Sequence, residues 1–376
     1  MKVIITGGGT GGHIYPGIAI AEALRRRKPE TAILFVGGDR FEARAVPDEG
    51  WAFASIAAAR MQRRRGLGTI WSAAVMGAGA AHALWLVARW RPDAVVATGG
   101  YVCLPVGAAA AVLGKPLVLQ EQNAIPGQAT RLLARWARSI SVPHADAAGR
   151  LPGRRTDVTG VPVRRRALEG DRRRGQERWG LSTDRLTLLV IGGSQGALNV
   201  NRGVCRMADL LMYDSRLQIL HHTGAEHLQW VRQAIGHREH VGPPAIRHIA
   251  VPFLDPVGDA YACADLVVCR AGASTLAEVT AWGLPAILVP YPHAADDHQE
   301  ENAAVLERAG AAVRVADLAL EGTALVDTVL ALIGDHARRE KMSQASRGLG
   351  RPDAADVVAG IVLSTASQRS AQEAKA

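Results

Sequence analysis

A β-branched apolar run, Val3-Ile4-Ile5, stops abruptly in Thr6-Gly7-Gly8-Gly9-Thr10-Gly11-Gly12-His13-Ile14-Tyr15-Pro16-Gly17. Glycines at a strand end admit close backbone approach and positive φ, and Pro16 suits the first turn of a helix that the pattern carries to about Arg27. A strand, a glycine turn and a helix in that order commit the start of the chain to a parallel α/β unit whose turn receives an anion or a polar ligand. His13 separates this turn from an ordinary dinucleotide fingerprint. It is a side chain able to move protons at neutral pH, placed where a helix dipole favours its uncharged form.

The same alternation continues. β-type runs at 3–6, 32–36, 94–98, 116–120 and 139–142 are spaced by helical stretches, and after an arginine-rich, poorly periodic segment from Arg164 to Arg178 the pattern restarts with runs at 186–191, 218–222, 266–269 and 286–289. Helices are expected at Asn199–Leu211 and Thr275–Trp282 among others. A chain of 376 residues exceeds one ordinary core. The pattern therefore predicts an α/β fold of two doubly wound, Rossmann-like parallel-sheet domains facing across a cleft, with the boundary near 165. The segment opening with Asp171-Arg172-Arg173-Arg174 reads as a solvated surface loop, and the polar tail beyond Ser364 as a frayed end.

Charge is shared unevenly. Residues 1–164 hold 21 Lys and Arg against 10 Asp and Glu, a net +11, whereas the remainder holds 23 against 25, a net −2, so the +9 of the whole chain comes from its first half. A polyanionic substrate, an anionic membrane surface or nucleic acid would each explain this. Aromatic residues make up only 5%, and no helix-turn-helix, zinc-finger or stacking-sheet signature is present, which argues against nucleic acid. Arg63-Arg64-Arg65 precedes an apolar helical pattern that includes Ile70, Trp71 and Met76 and runs to Val87, interrupted by Gly77, Gly79 and His82. It is too broken to span a bilayer and reads either as a helix lying on a membrane or as a core helix with solvated arginines. The start of the chain leaves no room for the apolar core of a signal peptide, so a cytoplasmic protein is expected. Cys103, Cys205, Cys263 and Cys269 form no C-x-x-C pair and read as buried free thiols, with no structural metal.

Glycine loops recur after strands in both halves: 6–12 and Gly99-Gly100-Tyr101 in the first, Gly192-Gly193-Ser194-Gln195-Gly196 and Arg270-Ala271-Gly272-Ala273-Ser274-Thr275-Leu276-Ala277-Glu278 in the second. Taken in order with Glu121-Gln122-Asn123 and the 296–303 segment, they resemble the motif set of the MurG family over nearly the whole chain. That resemblance implies the GT-B architecture, with an N-terminal acceptor- and membrane-binding domain at 1–164, a UDP-sugar domain at 165–350, and a last helix near 353–363 returning to the first domain. It implies inverting transfer of N-acetylglucosamine from UDP-N-acetylglucosamine to lipid I, undecaprenyl-pyrophosphoryl-N-acetylmuramoyl-pentapeptide. The reaction would take place peripherally at the cytoplasmic face of the inner membrane, with no cofactor or metal.

By the same resemblance His13 is the catalytic base, the alternative being a residue that orders the glycine loop or binds phosphate. Ser194 and the turn Ala273-Ser274-Thr275 meet the diphosphate, and Leu276 and Ala277 are counted among the substrate-binding residues. Glu278 takes the ribose hydroxyls, as a carboxylate accepts two hydrogen bonds. Leu254 lies at the uracil through its main chain, Arg164 beside the nucleotide, and Asn123 and Gln299 at the sugar or acceptor, while Thr10, Gly11 and Gly12 approach the donor from the opposite wall. One departure is Val161 in Gly160-Val161-Pro162-Val163-Arg164, where the family has asparagine, so an amide donor is lost. Rival readings are another GT-B enzyme of UDP-sugars, such as a UDP-N-acetylglucosamine 2-epimerase or a transferase with a soluble acceptor, a non-catalytic binding scaffold, which would need neither His13 nor Glu278, and a nicotinamide oxidoreductase. The last lacks a clean strand-terminal acid after the first loop, Asp39 being the nearest.

Overall fold

The computed structural model describes residues 1–57, 67–151, 155–193, 195–241 and 246–373, with the side chains of all of these except 67–76, 238–241 and 369–373. The chain divides into two compact units, Met1–Arg164 with Asp353–Ala376, and Arg165–Pro352.

Unit 1 is built on strands β1 (Lys2–Thr6), β2 (Ala32–Gly37), β3 (Ala52–Ser55), β4 (Ala94–Ala97), β5 (Leu117–Gln120), β6 (Ser139–Val142) and β7 (Thr156–Val158). They pair in parallel in the order β3-β2-β1-β4-β5-β6-β7. Unit 2 carries β8 (Leu186–Ile191), β9 (Leu217–His222), β10 (Arg247–Val251), β11 (Leu266–Cys269), β12 (Ala286–Leu288) and β13 (Ala312–Arg314), again parallel, in the order β10-β9-β8-β11-β12-β13. The strand order reverses direction between β1 and β4 and between β8 and β11. In doubly wound sheets a ligand crevice opens beyond the carboxyl ends of such a pair, and all four glycine loops sit at these two places.

Each sheet is apolar on both faces, as parallel sheets covered by helices must be. Along β1, Val3 and Ile5 pack with Ile14, Ile18 and Leu24 of the helix Gly11–Arg27, while Ile4 faces Val95, Val106 and Leu119 on the other side. The last helix, Ala354–Glu373, belongs to unit 1 and buries Ala355, Val358, Ala359, Val362 and Ala366 against the first helix, with Arg26 paired to Asp356 at 3.0 Å. Ala366 is 4% exposed and the helix continues to Glu373, so the chain does not fray at Ser364 as expected. Pro16 is the sixth residue of its helix rather than a first-turn residue, and offers no N–H to the Gly12 carbonyl.

The Asp171–Arg178 segment is not a solvated loop. Arg172–Trp179 is a helix, capped by Asp171, whose carboxylate accepts from Arg174 N at 2.6 Å. Its arginines are tied down: Arg174 reaches the fully buried Asp259, and Arg172 pairs with Asp265 at 3.2 Å. The strands that the sequence pattern does not announce, β3, β7, β10 and β13, are the four edges of the two sheets. The four cysteines are buried and unpaired with each other. No helix among the described residues is long and apolar enough to cross a membrane.

Candidate active site

In unit 1 the turn after β1 lies against the turn after β4. Thr98 donates its N–H to Thr6 O at 2.8 Å, bringing Gly99 beneath the start of the first helix. Gly99 has φ +101°, and a Cβ there would come within 2.7 Å of His13 Nδ1, so only glycine lets the imidazole approach. His13 Nδ1 lies 3.1 Å from Thr98 O and 3.2 Å from Gln122 Oε1. The Gln122 amide is oriented by its own Nε2, which donates to Thr98 O at 2.6 Å and to Gln120 O at 3.1 Å. Both neighbours of Nδ1 therefore only accept, which assigns the neutral ring's proton to Nδ1 and leaves Nε2 as the basic nitrogen.

Thr10 and Gly12 are exposed, and Gly11 and His13 half-buried, so this helix start is accessible to a ligand. The turn's Gly9 N–H is already taken. It donates at 3.1 Å to Oε2 of the fully buried Glu42, whose Oε1 accepts from Gly38 N at 2.9 Å. The carboxylate near the end of β2 thus organises the glycine turn from within, whereas Asp39 is exposed. Glu121, 2% exposed, does the same for the turn after β5. It accepts from Gln122 N (2.9 Å), Asn123 N (3.0 Å) and Gly127 N (3.0 Å), with Asn123 Nδ2 at 3.3 Å, and so sets the Asn123 amide.

Arg164, 9% exposed, pairs with Glu49 at 3.1 Å and lies 3.8 Å above the Tyr15 ring. Its guanidinium is held inside unit 1, two residues along the helix from His13. Val161, which replaces an amide donor, is buried. Cys103 sits under the Gly99-Gly100 turn, where burial pushes its thiol up to about 12 and makes it inert at neutral pH.

In unit 2, Gly192 and Gly193 follow β8, while Ser194 lies outside the described residues. Gly196 has φ +78°, and a Cβ there would fall 1.9 Å from Thr223 O, so the turns after β8 and β9 touch through bare backbone. Asn201 fastens this contact. Its Nδ2 donates to Thr223 O at 2.9 Å and its Oδ1 accepts from His221 Nε2 at 3.0 Å. The next residue, His222, points the other way, toward Phe253, and burial holds its imidazole below the usual histidine range.

Two helices open at this crevice, Leu198–Leu210 and Ala273–Ala281, neither with a side-chain cap. Their first-turn N–H groups are donors of the kind that anions occupy. Ala273, Ser274, Thr275 and Ala277 are half-buried, whereas Leu276 turns its side chain into the core and offers only main chain. Glu278, one turn further on, accepts from Tyr261 Oη at 2.7 Å. Leu254 packs at the edge of the same core. Gln299, on the helix His298–Arg308, accepts from Tyr291 N at 3.0 Å, while Arg270 donates to Val289 O and Pro290 O at 3.2 Å and pairs with Asp317 at 2.5 Å.

In unit 1 Thr10, Gly11, Gly12 and His13 share one turn, with Gln122, the neighbour of Asn123, at 3.2 Å from His13; in unit 2 Ala273–Glu278 share one helix, while Leu254 packs on the core beneath it and Gln299 contacts Tyr291. Sequence reasoning missed Glu42, Glu121, Gln122, Tyr261 and Arg270. Glu121, Gln122 and Arg270 lay inside motifs already noted, but nothing in the sequence marks Glu42 or Tyr261 as more than a helix residue.

Residues 3–142 match the glycosyltransferase family 28 N-terminal domain and residues 187–358 its C-terminal domain. The chain is 41% identical over 370 residues to a protein of Halothermothrix orenii, covering 97% of this chain and 99% of that one, named UDP-N-acetylglucosamine--N-acetylmuramyl-(pentapeptide) pyrophosphoryl-undecaprenol N-acetylglucosamine transferase. A protein of the same name from Salinibacter ruber is 40% identical, covering 97% of each chain. The crystal structure of Acinetobacter baumannii MurG superposes with a TM-score of 0.77 at 26% identity, covering 96% of this chain and 99% of that one. A UDP-GlcNAc 2-epimerase from Neisseria meningitidis shares the fold at 13% identity and a TM-score of 0.65, covering 97% of this chain and all of the other. Two Rossmann-like units with glycine turns at both switch points, matched over nearly their full length at this identity, place the chain in glycosyltransferase family 28 and, within it, in the MurG family.

Proposed function

We propose that this chain transfers N-acetylglucosamine from UDP-N-acetylglucosamine to the muramoyl 4-hydroxyl of lipid I, making lipid II for peptidoglycan. The observation that carries the mechanism is the pair of acceptors on His13 Nδ1, which presents Nε2 as a base. Nε2 takes the hydroxyl proton as the oxygen attacks the anomeric carbon on the face opposite the diphosphate. The bond from that carbon to the diphosphate oxygen breaks, UDP leaves with the electron pair, and configuration inverts. Main-chain N–H groups at Ala273-Ser274-Thr275, together with Ser194, meet the departing charge, a task that needs no metal. Glu278 takes the ribose hydroxyls, Leu254 the uracil through its main chain, and Arg164 the nucleotide. Asn123 and Gln299 hold sugar or acceptor hydroxyls, and Thr10, Gly11 and Gly12 lie toward the donor.

A lipid-linked acceptor requires work at the cytoplasmic face of the membrane. Arg63–Arg65, Ile70, Trp71 and Met76, on which the sequence based a membrane contact, lie outside the described residues or side chains. Supporting the same reading, helices Leu67–Trp90, Cys103–Val112 and Gln128–Leu133 pack in succession and expose Trp85 (62%), Val112 (76%), Leu132 (48%) and, just beyond, Trp136 (45%). Arg131 and Arg135 are exposed among them, suited to anionic headgroups. The decisive assay incubates the purified protein with UDP-N-acetylglucosamine, lipid I and a chelator. Lipid II should form; free N-acetylmannosamine or no transfer would replace this reading with a different UDP-sugar enzyme, and loss of transfer on chelation would refute metal independence.

A further inference from the structure

Tyr261 is the largest fully buried side chain among the described residues, at 1% exposure. A phenylalanine would fill the same volume, so the hydroxyl at this depth requires a partner. The partner is Glu278 Oε2, at 2.7 Å. The tyrosine is itself fixed on two sides. Its ring stacks on Trp282 with centroids 6.5 Å apart and planes 24° apart, and Trp282 Nε1 donates to Ala167 O at 2.7 Å. Its helix, Val257–Cys263, is held by Asp259, which accepts from Asp171 N at 2.8 Å and Arg174 Nε at 2.7 Å. The arginine-rich helix after residue 170 thereby anchors the helix that carries Tyr261, and Tyr261 in turn anchors the carboxylate.

We propose that Tyr261 is a positioning residue for nucleotide selection. Its charge-assisted bond fixes the plane of the Glu278 carboxylate, so that a vicinal diol meets both oxygens at no cost in side-chain freedom, and the chain prefers ribonucleoside over 2′-deoxyribonucleoside diphosphates. This rests on the ribose reading of Glu278 given above. A hydroxyl lost from the diol removes the bond that the fixed carboxylate was set to accept.

Calorimetric binding of UDP and 2′-deoxy-UDP to the full chain tests this. Tyr261→Phe keeps the ring and its stacking. It should raise the Kd for UDP about three- to tenfold, leave that for 2′-deoxy-UDP within about twofold, and raise KM for the sugar nucleotide with kcat retained. Adding Tyr261→Phe to Glu278→Gln should change nothing further, since the tyrosine acts only through the carboxylate. Equal weakening of both ligands by Tyr261→Phe, or the same weakening in the Glu278→Gln background, would overturn the proposal in favour of a packing role. If Glu278→Gln abolishes the preference and Tyr261→Phe does not, Tyr261 alone is misassigned. If Glu278→Gln leaves the preference intact, the ribose reading itself fails and takes this inference with it.

Discussion

His13 carries the chemistry through its tautomer. With Nδ1–H committed to Thr98 O and Gln122 Oε1, the ring cannot rotate or swap its proton without losing both bonds. His13→Ala should lower kcat by about 10²–10⁴-fold with little change in UDP binding, as expected for a lost general base; a variant with near wild-type turnover would remove His13 from the mechanism. His222 serves stability instead. Burial disfavours its charged form, with the Pro252 carbonyl opposing only in part, so the folded imidazole titrates below its unfolded value of about 6.5. Above that pH both states are neutral and its contribution is complete. As pH falls below about 6.5 the unfolded chain binds the proton first, and stability declines by at most about 1.4 kcal/mol per pH unit. Denaturant titrations of wild type and His222→Gln between pH 5 and 7.5 should show the shallower slope in the variant. The glycine turn singled out His13, and the family resemblance singled out Glu278; residue types could go no further. They could not announce Gln122 as the group that chooses the tautomer, because that depends on β5 lying next to β4.

At the level of elements, the helix Arg172–Trp179 reads as a charged loop and folds as a buttress. Its polar sequence hides the fact that a single carboxylate, Asp259, is buried with no exposure beneath Arg174. The Arg174 guanidinium, then the Asp171 N–H, hold the Asp259 carboxyl below the usual carboxylate range. The stabilisation is therefore complete above about pH 4, the unfolded value, and is lost as pH falls through the depressed folded value. Arg174→Ala leaves a buried carboxylate short of its main partner, which should lower the melting temperature and move acid unfolding to higher pH; an unchanged acid midpoint would contradict this pairing. The edge strands show the complementary failure. β5, β6 and β11 are buried along their whole length, whereas β3 and β7 contain no buried residue, so their apolar runs thin out and merge with loop sequence. A pattern method that keys on burial reads the centre of a sheet and loses its rim.

For the whole molecule, the basic first half and the exposed Trp85, Leu132 and Trp136 make a prediction about surfaces. Trp85→Glu with Arg131→Glu and Arg135→Glu should weaken binding to vesicles of anionic lipid, most clearly at low salt, while leaving UDP affinity unchanged. Equal binding by the triple variant would show that this face is not the one that meets the membrane.

The sequence by itself determined the parallel α/β plan, its restart near residue 165 and the glycine turns at strand ends, because these follow from local periodicity and from backbone conformations that only certain residues adopt. The tertiary structure alone decided which turns meet, at β1 with β4 and at β8 with β11. It also decided that Glu42, Gln122 and Tyr261, each unremarkable in its own segment, hold the glycine turn, the imidazole and the carboxylate. Such roles arise from polar atoms buried beside partners 17 to 109 residues away in the chain, and nothing local encodes that proximity.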